Sequence, residues 1–169
     1  MNLFITSGTA DFLLKLKEKH QDENMVLMNN SESSILVHET EGQTLFNSPR
    51  KYKVIDSAGN LGHKGFAVLN NIPVTEEGRP LFEDRFLNRP RKIEKEPGFV
   101  AIRVLRPLSS NTYIILTIWD QESSFENWQK SKAYADAHKN RGTEAGIAGA
   151  KPTLFESASF VSKYYIESE

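Results

Sequence analysis

The stretch GFAVLNNIPV, residues 65–74, is strongly apolar and predicts a buried β-strand. Two asparagines, Asn70 and Asn71, interrupt it side by side. Because alternate residues of a strand point to opposite faces, only one of the two can face a given cavity. A carboxamide turned into a cavity can hydrogen-bond a ligand. The alternative is that one asparagine satisfies a local backbone group while the other is solvated.

The segments that follow this strand predict a complete β-α-β-β-α-β unit. Thr75 is a plausible N-cap for a helix, which Pro90 should end or kink. After it come two alternating runs joined by a hairpin, a second helical pattern and a last strand, at residues 99–106, 113–119, 123–139 and 159–166. This order is that of a ferredoxin-like α+β fold.

The segments that precede the strand resemble a shortened version of the same unit. Strands are expected at residues 2–7, 25–28, 34–40 and 52–56, with a helix at residues 10–20. A glycine-containing stretch near residues 58–65 suggests two parts, an N-terminal β-α-β-β half at 1–62 and a C-terminal ferredoxin-like domain at 63–169. Since an apolar sheet face must be covered, we expect a pseudo-dimeric α+β barrel within one monomeric chain.

Composition excludes several classes of protein. Of the 169 residues, 21 are Lys or Arg and 22 are Asp or Glu, so the formal charge of −1 gives no case for nucleic acid binding. No run reaches the ~20 apolar residues of a membrane span, and the N-terminus lacks the pattern of a signal peptide. We therefore expect a cytoplasmic protein without a membrane partner. The absence of cysteine excludes disulfides and a thiolate ligand to iron.

Trp128 and His138 are the other candidate site residues. Trp128 is either a core aromatic or a wall of a ligand site, whereas Trp119 at a strand end is expected to be structural. Ala135 and Ala137 leave space for a flat ligand beside His138, although a lone histidine at a helix end is more often partly exposed and favoured by the helix dipole.

The spacing of Trp128 and His138 constrains the second helix. Ten residues of straight helix turn through ~1000° and rise on the order of 15 Å, which leaves the two side chains roughly 80° apart. Two groups so placed do not easily contact one flat ligand. We therefore predict a break near Ser131–Lys132. None of the four histidines lies three or four residues from another, so a zinc site built from protein ligands alone is not expected.

Several motifs together resemble the IsdG-type haem-degrading monooxygenases, a branch of the antibiotic-biosynthesis-monooxygenase superfamily. From residue 65 onward these are Asn70 before VTEEG, then FEDRF, EPGF and FENWQKS, and finally AHK at 137–139. Across the whole length, FITSGTADFL, FAVLNNI, EGRPLFE and AHKNRGT resemble the longer Bacillus members of the family. The same long form is also similar to the staphylococcal TRAP proteins, described as signalling regulators.

The resemblance implies a role for each candidate residue. His138 would be the axial ligand of haem iron, Asn70 would lie on the distal side, and Trp128 would press on the porphyrin. Haem would be substrate and cofactor together, cleaved with O2 and an external electron donor, either a reductase or a small reductant. Iron would be released with a biliverdin-like product, a staphylobilin-type product being the alternative. Arg85, Lys139 and Arg141 are candidates for the haem propionates or are simply solvated.

Two other functions stay open at this point. A haem carrier or sensor without turnover needs His138 but not Asn70. A regulatory protein of the TRAP type needs neither residue.

Overall fold

The structure, a computed structural model, describes residues 1–131 and 154–166 of the chain. The described strands are β1 Asn2–Gly8, β2 Asn24–Asn29, β3 Ser34–Thr40, β4 Arg50–Ala58, β5 Gly65–Pro73, β6 Phe99–Pro107, β7 Thr112–Trp119 and β8 Phe160–Ile166. The described helices are α1 Ala10–Lys19, α2 Arg79–Leu87 and α3 Glu122–Gln129, with a 3₁₀ turn at Lys92–Lys95. None of the described helices is long and apolar enough to cross a membrane.

The eight described strands form one closed antiparallel barrel in the order β1-β3-β2-β8-β5-β7-β6-β4. The barrel consists of two sets of four neighbouring strands, β4-β1-β3-β2 and β8-β5-β7-β6. In each set the order is the fourth strand of that half, then its first, third and second. Each set is the sheet of a ferredoxin-like unit. The two sets meet where β2 pairs with β8 and where β4 pairs with β6. The predicted ferredoxin-like α+β class is therefore confirmed.

The barrel interior is an apolar core to which every strand contributes. The inward residues are mostly aliphatic, with Tyr52 and Tyr164 among them, and Leu61 joins them from the segment between β4 and β5. Closure leaves no unpaired strand edge among these eight strands. It also leaves the interior filled with side chains, as expected for a barrel of this size.

One ion pair lies inside this barrel and joins the two halves. Arg103 of β6 is 5% exposed and donates to the Glu39 carboxylate of β3 from Nε at 2.6 Å and from Nη2 at 3.3 Å. Its Nη1 donates to the carbonyls of Ala58 and Ile102. Because the charges and nearly all the donors are paired, the barrel can bury this arginine at acceptable cost.

The helices cover the outer face of the barrel. α1 packs on one half with Leu13 above Phe4, Met25, Leu27 and Leu36. α2 covers part of the other half through Phe82, and α3 covers a neighbouring part through Phe125. Between α2 and α3 lies the outer face of β5, the strand that contains both asparagines.

Some sequence predictions differ from the structure at element ends. Thr75 is not the N-cap of α2; Gly78 is, and the Thr75 hydroxyl instead accepts a turn hydrogen bond from the Gly78 N–H at 3.0 Å. The reason is that residues 75–78 form a separate turn, closed by this bond and by one from the Gly78 N–H to the Thr75 carbonyl at 3.0 Å, so α2 begins only after that turn. The 3₁₀ turn was not predicted. β4 is longer than the strand expected at residues 52–56 because it pairs with both β1 and β6. With β4 counted, the first half has the order β-α-β-β-β rather than β-α-β-β.

The second predicted helix, at residues 123–139, is described only as far as residue 131. α3 ends at Gln129, and the amide N–H of Ser131 donates to the Trp128 carbonyl at 2.9 Å. The helix therefore ends close to the break predicted at Ser131–Lys132, and the segment beyond lies outside the described residues. The division at residues 62 and 63 stays a prediction; the connection there is residues 59–64.

Replacing Glu39 by Ala should lower the free energy of unfolding by about 3–5 kcal/mol, because Arg103 would stay buried without its counter-charge. Urea denaturation followed by circular dichroism measures this. The double variant E39L/R103M should recover most of the loss, since it removes both charges.

The control is Asp11→Ala, which breaks a pair with Lys15 whose side chains are 79% and 74% exposed. Its cost should be only ~0.5 kcal/mol. If E39A costs no more than D11A, the internal ion pair does not hold the halves together.

Candidate functional site

The two adjacent asparagines of β5 lie on opposite faces of the barrel wall. Asn71 points inward and is 4% exposed. Its Nδ2 lies within hydrogen-bond distance of the Leu69 carbonyl at 3.1 Å, the Phe160 carbonyl at 3.2 Å and the Ser162 hydroxyl at 3.3 Å. Asn71 therefore joins β5 to β8 and is structural.

Asn70 points outward, and its amide oxygen has no hydrogen-bond partner among the described residues. The Oδ1 atom is buried and accepts no hydrogen bond from the described residues. Its neighbours across the strands are Ile115 of β7 and Val161 of β8. An unsatisfied buried polar atom lowers the stability of the fold by about 1–3 kcal/mol. Its presence on an apolar face therefore suggests a functional role.

Asn70 lies between the areas covered by the two helices. On its own strand it is flanked on the same face by Val68, which belongs to the cluster under α3, and by Ile72, which belongs to the cluster under α2. Val161 beside it is 52% exposed. The result is an apolar strand face with one carboxamide near its middle, next to the exposed Val161 of β8.

Trp128 lies on the same outer face, in the last turn of α3. Its ring stacks at an angle on Trp119 with 5.6 Å between centroids, and it lies 6.1 Å from the ring of Phe125. Trp128 is half-buried. Trp119 is fully buried and its Nε1 donates to the Thr117 hydroxyl at 3.1 Å, consistent with a structural role.

The remaining predicted contacts are only partly covered by the structure. His138, Lys139 and Arg141 lie outside the described residues. Arg85 lies on the exposed side of α2. Asn70 and Trp128 are therefore the two predicted site residues that the structure brings to one face of the barrel.

The sequence analysis missed a polar network that fixes α2 to the sheet. Arg106 donates to both carboxylate oxygens of Glu83, from Nε at 3.0 Å and from Nη2 at 2.6 Å, and the Tyr113 hydroxyl also donates to Glu83. These bonds, first that from Arg106, hold the pKa of Glu83 below its ordinary value, while burial raises the pKa of Tyr113. The residues are 23 and 30 positions apart from Glu83, so no local sequence pattern could reveal them.

A second buried side chain with one unpaired polar atom among the described residues lies on β3, in the N-terminal half of the barrel. His38 is fully buried between Phe4 and Phe46, with Nε2 3.1 Å from Glu23 and Nδ1 without a partner among the described residues. No group of three or more potential metal ligands occurs in the described part of the chain. An all-protein metal site is therefore not found there.

Comparisons with known proteins add two kinds of relatives. Residues 65–140 match the family model "Antibiotic biosynthesis monooxygenase". A heme-degrading monooxygenase of Listeria monocytogenes is 27% identical over 149 residues, which are 86% of this chain and 89% of the relative. The signal transduction protein TRAP of Staphylococcus epidermidis is 28% identical over 158 residues, 92% of this chain and 95% of the relative.

Solved structures agree on the fold. That of a major regulator of staphylococcal pathogenesis superposes with a TM-score of 0.84 at 24% identity and covers 98% of both chains. At this identity the likeness concerns the fold alone. The resemblance drawn from the sequence motifs is thus confirmed: residues 65–140 match the antibiotic biosynthesis monooxygenase model, and the chain is similar to both haem-degrading monooxygenases and TRAP proteins.

Proposed function

We propose that this protein is a haem-degrading monooxygenase that binds haem on the outer face of the barrel, between α2 and α3. The observation that carries the proposal is the buried Oδ1 of Asn70, which has no hydrogen-bond partner in the described part of the chain and lies on an otherwise apolar strand face. Such an atom costs stability in the free protein. A bound reactant or an ordered water would supply the missing partner.

The residues around Asn70 suit a porphyrin in their chemistry. A porphyrin is flat and mostly apolar, and the face formed by Val68, Ile72 and Val161 is apolar and presents one carboxamide. Trp128 adds an aromatic surface at one side of this face. A flat apolar ligand fixed by a few polar groups is the usual design of a cofactor-sized site.

The iron ligand in this proposal is His138. A neutral imidazole is a common axial ligand of haem iron and leaves the opposite side open. Haem needs one protein ligand because the porphyrin supplies four nitrogens, so the lack of a multi-ligand cluster among the described residues is no obstacle. The helix end at Gln129 supports the proposal, since a turn there is needed to bring His138 toward the face that holds Trp128.

In the reaction, haem is the substrate and its iron activates O2 with electrons from an external donor. Asn70 would orient the oxygen reactant, because a carboxamide both donates and accepts hydrogen bonds. As a neutral group it would do so without delivering a proton. Trp128 would press on the porphyrin and bend it, bringing a bridging carbon toward the oxygen. The product would be a biliverdin-like tetrapyrrole with free iron, and the barrel would act as a monomer.

A regulatory function of the TRAP kind is the second candidate. It is supported by the staphylococcal relatives, one of which is 28% identical to this chain, against 27% for the haem-degrading relative. It gives no reason for the unpartnered amide of Asn70. A carrier or sensor would bind haem through His138 and leave it intact.

Replacing His138 by Ala should abolish the Soret shift that wild-type protein produces on addition of haem, because the iron would lose its protein ligand. Absorbance titration at equal haem and protein concentrations measures this. The matched control is His63→Ala, in which an exposed histidine is removed from the connection between β4 and β5. An unchanged Soret band in H138A would contradict the assignment of the ligand.

Replacing Asn70 by Ala should leave haem affinity within about threefold of wild type while turnover falls about a hundredfold or more, the usual effect of losing one well-placed hydrogen-bond group. The initial rate of Soret loss in air, with ascorbate as reductant, measures this. The matched control is Asn127→Ala, an exposed asparagine on α3 next to Trp128.

The stability of N70A gives a second readout. Because the Asn70 oxygen has no hydrogen bond to lose, its removal should not lower the midpoint of thermal unfolding. Full activity in N70A would refute its catalytic role, and marked unfolding would show that the asparagine is structural instead.

A further inference from the structure

The position of α3 depends on a close approach at Gly98. Gly98 lies in the turn before β6 and has φ of +85°, a conformation that L side chains rarely adopt. A Cβ at this position would lie 2.3 Å from the Ser124 hydroxyl oxygen, 2.4 Å from the Ser124 Cβ and 2.5 Å from the Asp120 Oδ1. Only a glycine leaves room for the first turn of α3 in this place.

The same turn is tied together by hydrogen bonds. The Asp120 N–H donates to the Gly98 carbonyl at 2.8 Å, and the Ser124 hydroxyl donates to the Asp120 carboxylate at 2.6 Å. The N-cap of α3, Gln121, forms no side-chain capping bond. The start of α3 is therefore held by the bonds around Asp120 and by close packing against Gly98 rather than by a side-chain cap of its own.

The short helix α3 connects the contact at Gly98 to Trp128. α3 has eight residues, so Ser124 and Trp128 are separated by about one turn. Between them Phe125 is buried, its ring 6.1 Å from that of Phe66 and 6.0 Å from that of Trp119. On the other side of the helix, the Tyr165 hydroxyl of β8 donates to Glu122 at 2.6 Å. A shift of the first turn must therefore move Trp128.

We infer that Gly98 is a positioning residue for the proposed reaction: it seats the first turn of α3 and thereby sets how far Trp128 projects over the haem site. This inference rests on the proposed function for its catalytic consequence, whereas its structural half concerns the free protein. Reactions that depend on exact orientation lose up to about a hundredfold in rate for a displacement near 1 Å. A change at Gly98, which does not itself line the site, should therefore alter turnover.

The first test uses free protein and the quenching of tryptophan fluorescence by acrylamide. In G98A the added Cβ should push α3 outward, so the half-buried Trp128 becomes more accessible and the quenching constant rises about twofold in proportion to the exposed ring. Trp119 is fully buried, so W128F should quench weakly and G98A/W128F should quench no more than W128F. Gly62→Ala is the matched control, because a Cβ there would meet its nearest atom only at 3.8 Å.

The second test separates positioning from stability by a rescue. S124G removes the two atoms closest to the added Cβ, but it also places a glycine in a helix, which weakens that helix. In G98A/S124G the quenching constant and the turnover should return at least halfway to wild type, while the unfolding midpoint stays below that of G98A. If both quantities instead follow the unfolding midpoint, Gly98 is merely structural and the inference is wrong.

The catalytic half uses haem turnover by the same variants. G98A should lose about tenfold to a hundredfold in turnover with haem affinity within about threefold, and the ratio of ring-cleavage products should change. Unchanged turnover and product ratio in a G98A protein that shows altered quenching would overturn the catalytic role. Absence of turnover in wild-type protein would overturn the proposed function alone, because the quenching result stands without haem.

Discussion

Closure of the barrel within one chain is the constraint on which the rest of the structure depends. The repeated strand order lets β2 pair with β8 and β4 with β6, so each half covers the apolar face of the other. The Arg103–Glu39 pair adds an internal link between the halves. Because the interior is filled, a ligand of haem size has no room inside. Any binding face must lie outside, among the helices.

On the outer face, the period of two along β5 decides which asparagine is available. Asn71 faces the core, and its amide donates a hydrogen bond to the Phe160 carbonyl of β8. Asn70 faces the gap between the helices, and its amide oxygen has no hydrogen-bond partner among the described residues. The two identical neighbours thus have opposite uses. Trp128 lies on the same face. Its ring packs on Trp119, and the first turn of its helix packs closely against Gly98. The geometry of the site is therefore set by contacts some distance from it.

Much of this was open to prediction from the sequence. The strands and α1 followed from periodicity, and the combined motifs indicated the family and two residues that share one face. Helix ends were harder: Thr75 lost its predicted cap role because residues 75–78 form a separate turn before α2 begins. The Glu83 network and the Arg103–Glu39 pair join residues far apart in the chain, so no local pattern reveals them. The unpaired state of Asn70 likewise depends on what packs around it.

A haem titration of the purified wild-type protein, followed by ascorbate in air with catalase present, tests the proposed function directly. A haem-degrading monooxygenase should give a saturable one-to-one Soret band that bleaches on addition of ascorbate, while iron becomes accessible to a chelator. A stable Soret band that does not bleach would contradict turnover and favour a carrier or sensor. No Soret band at all would contradict the haem site itself and favour a regulatory role like that of the TRAP relatives.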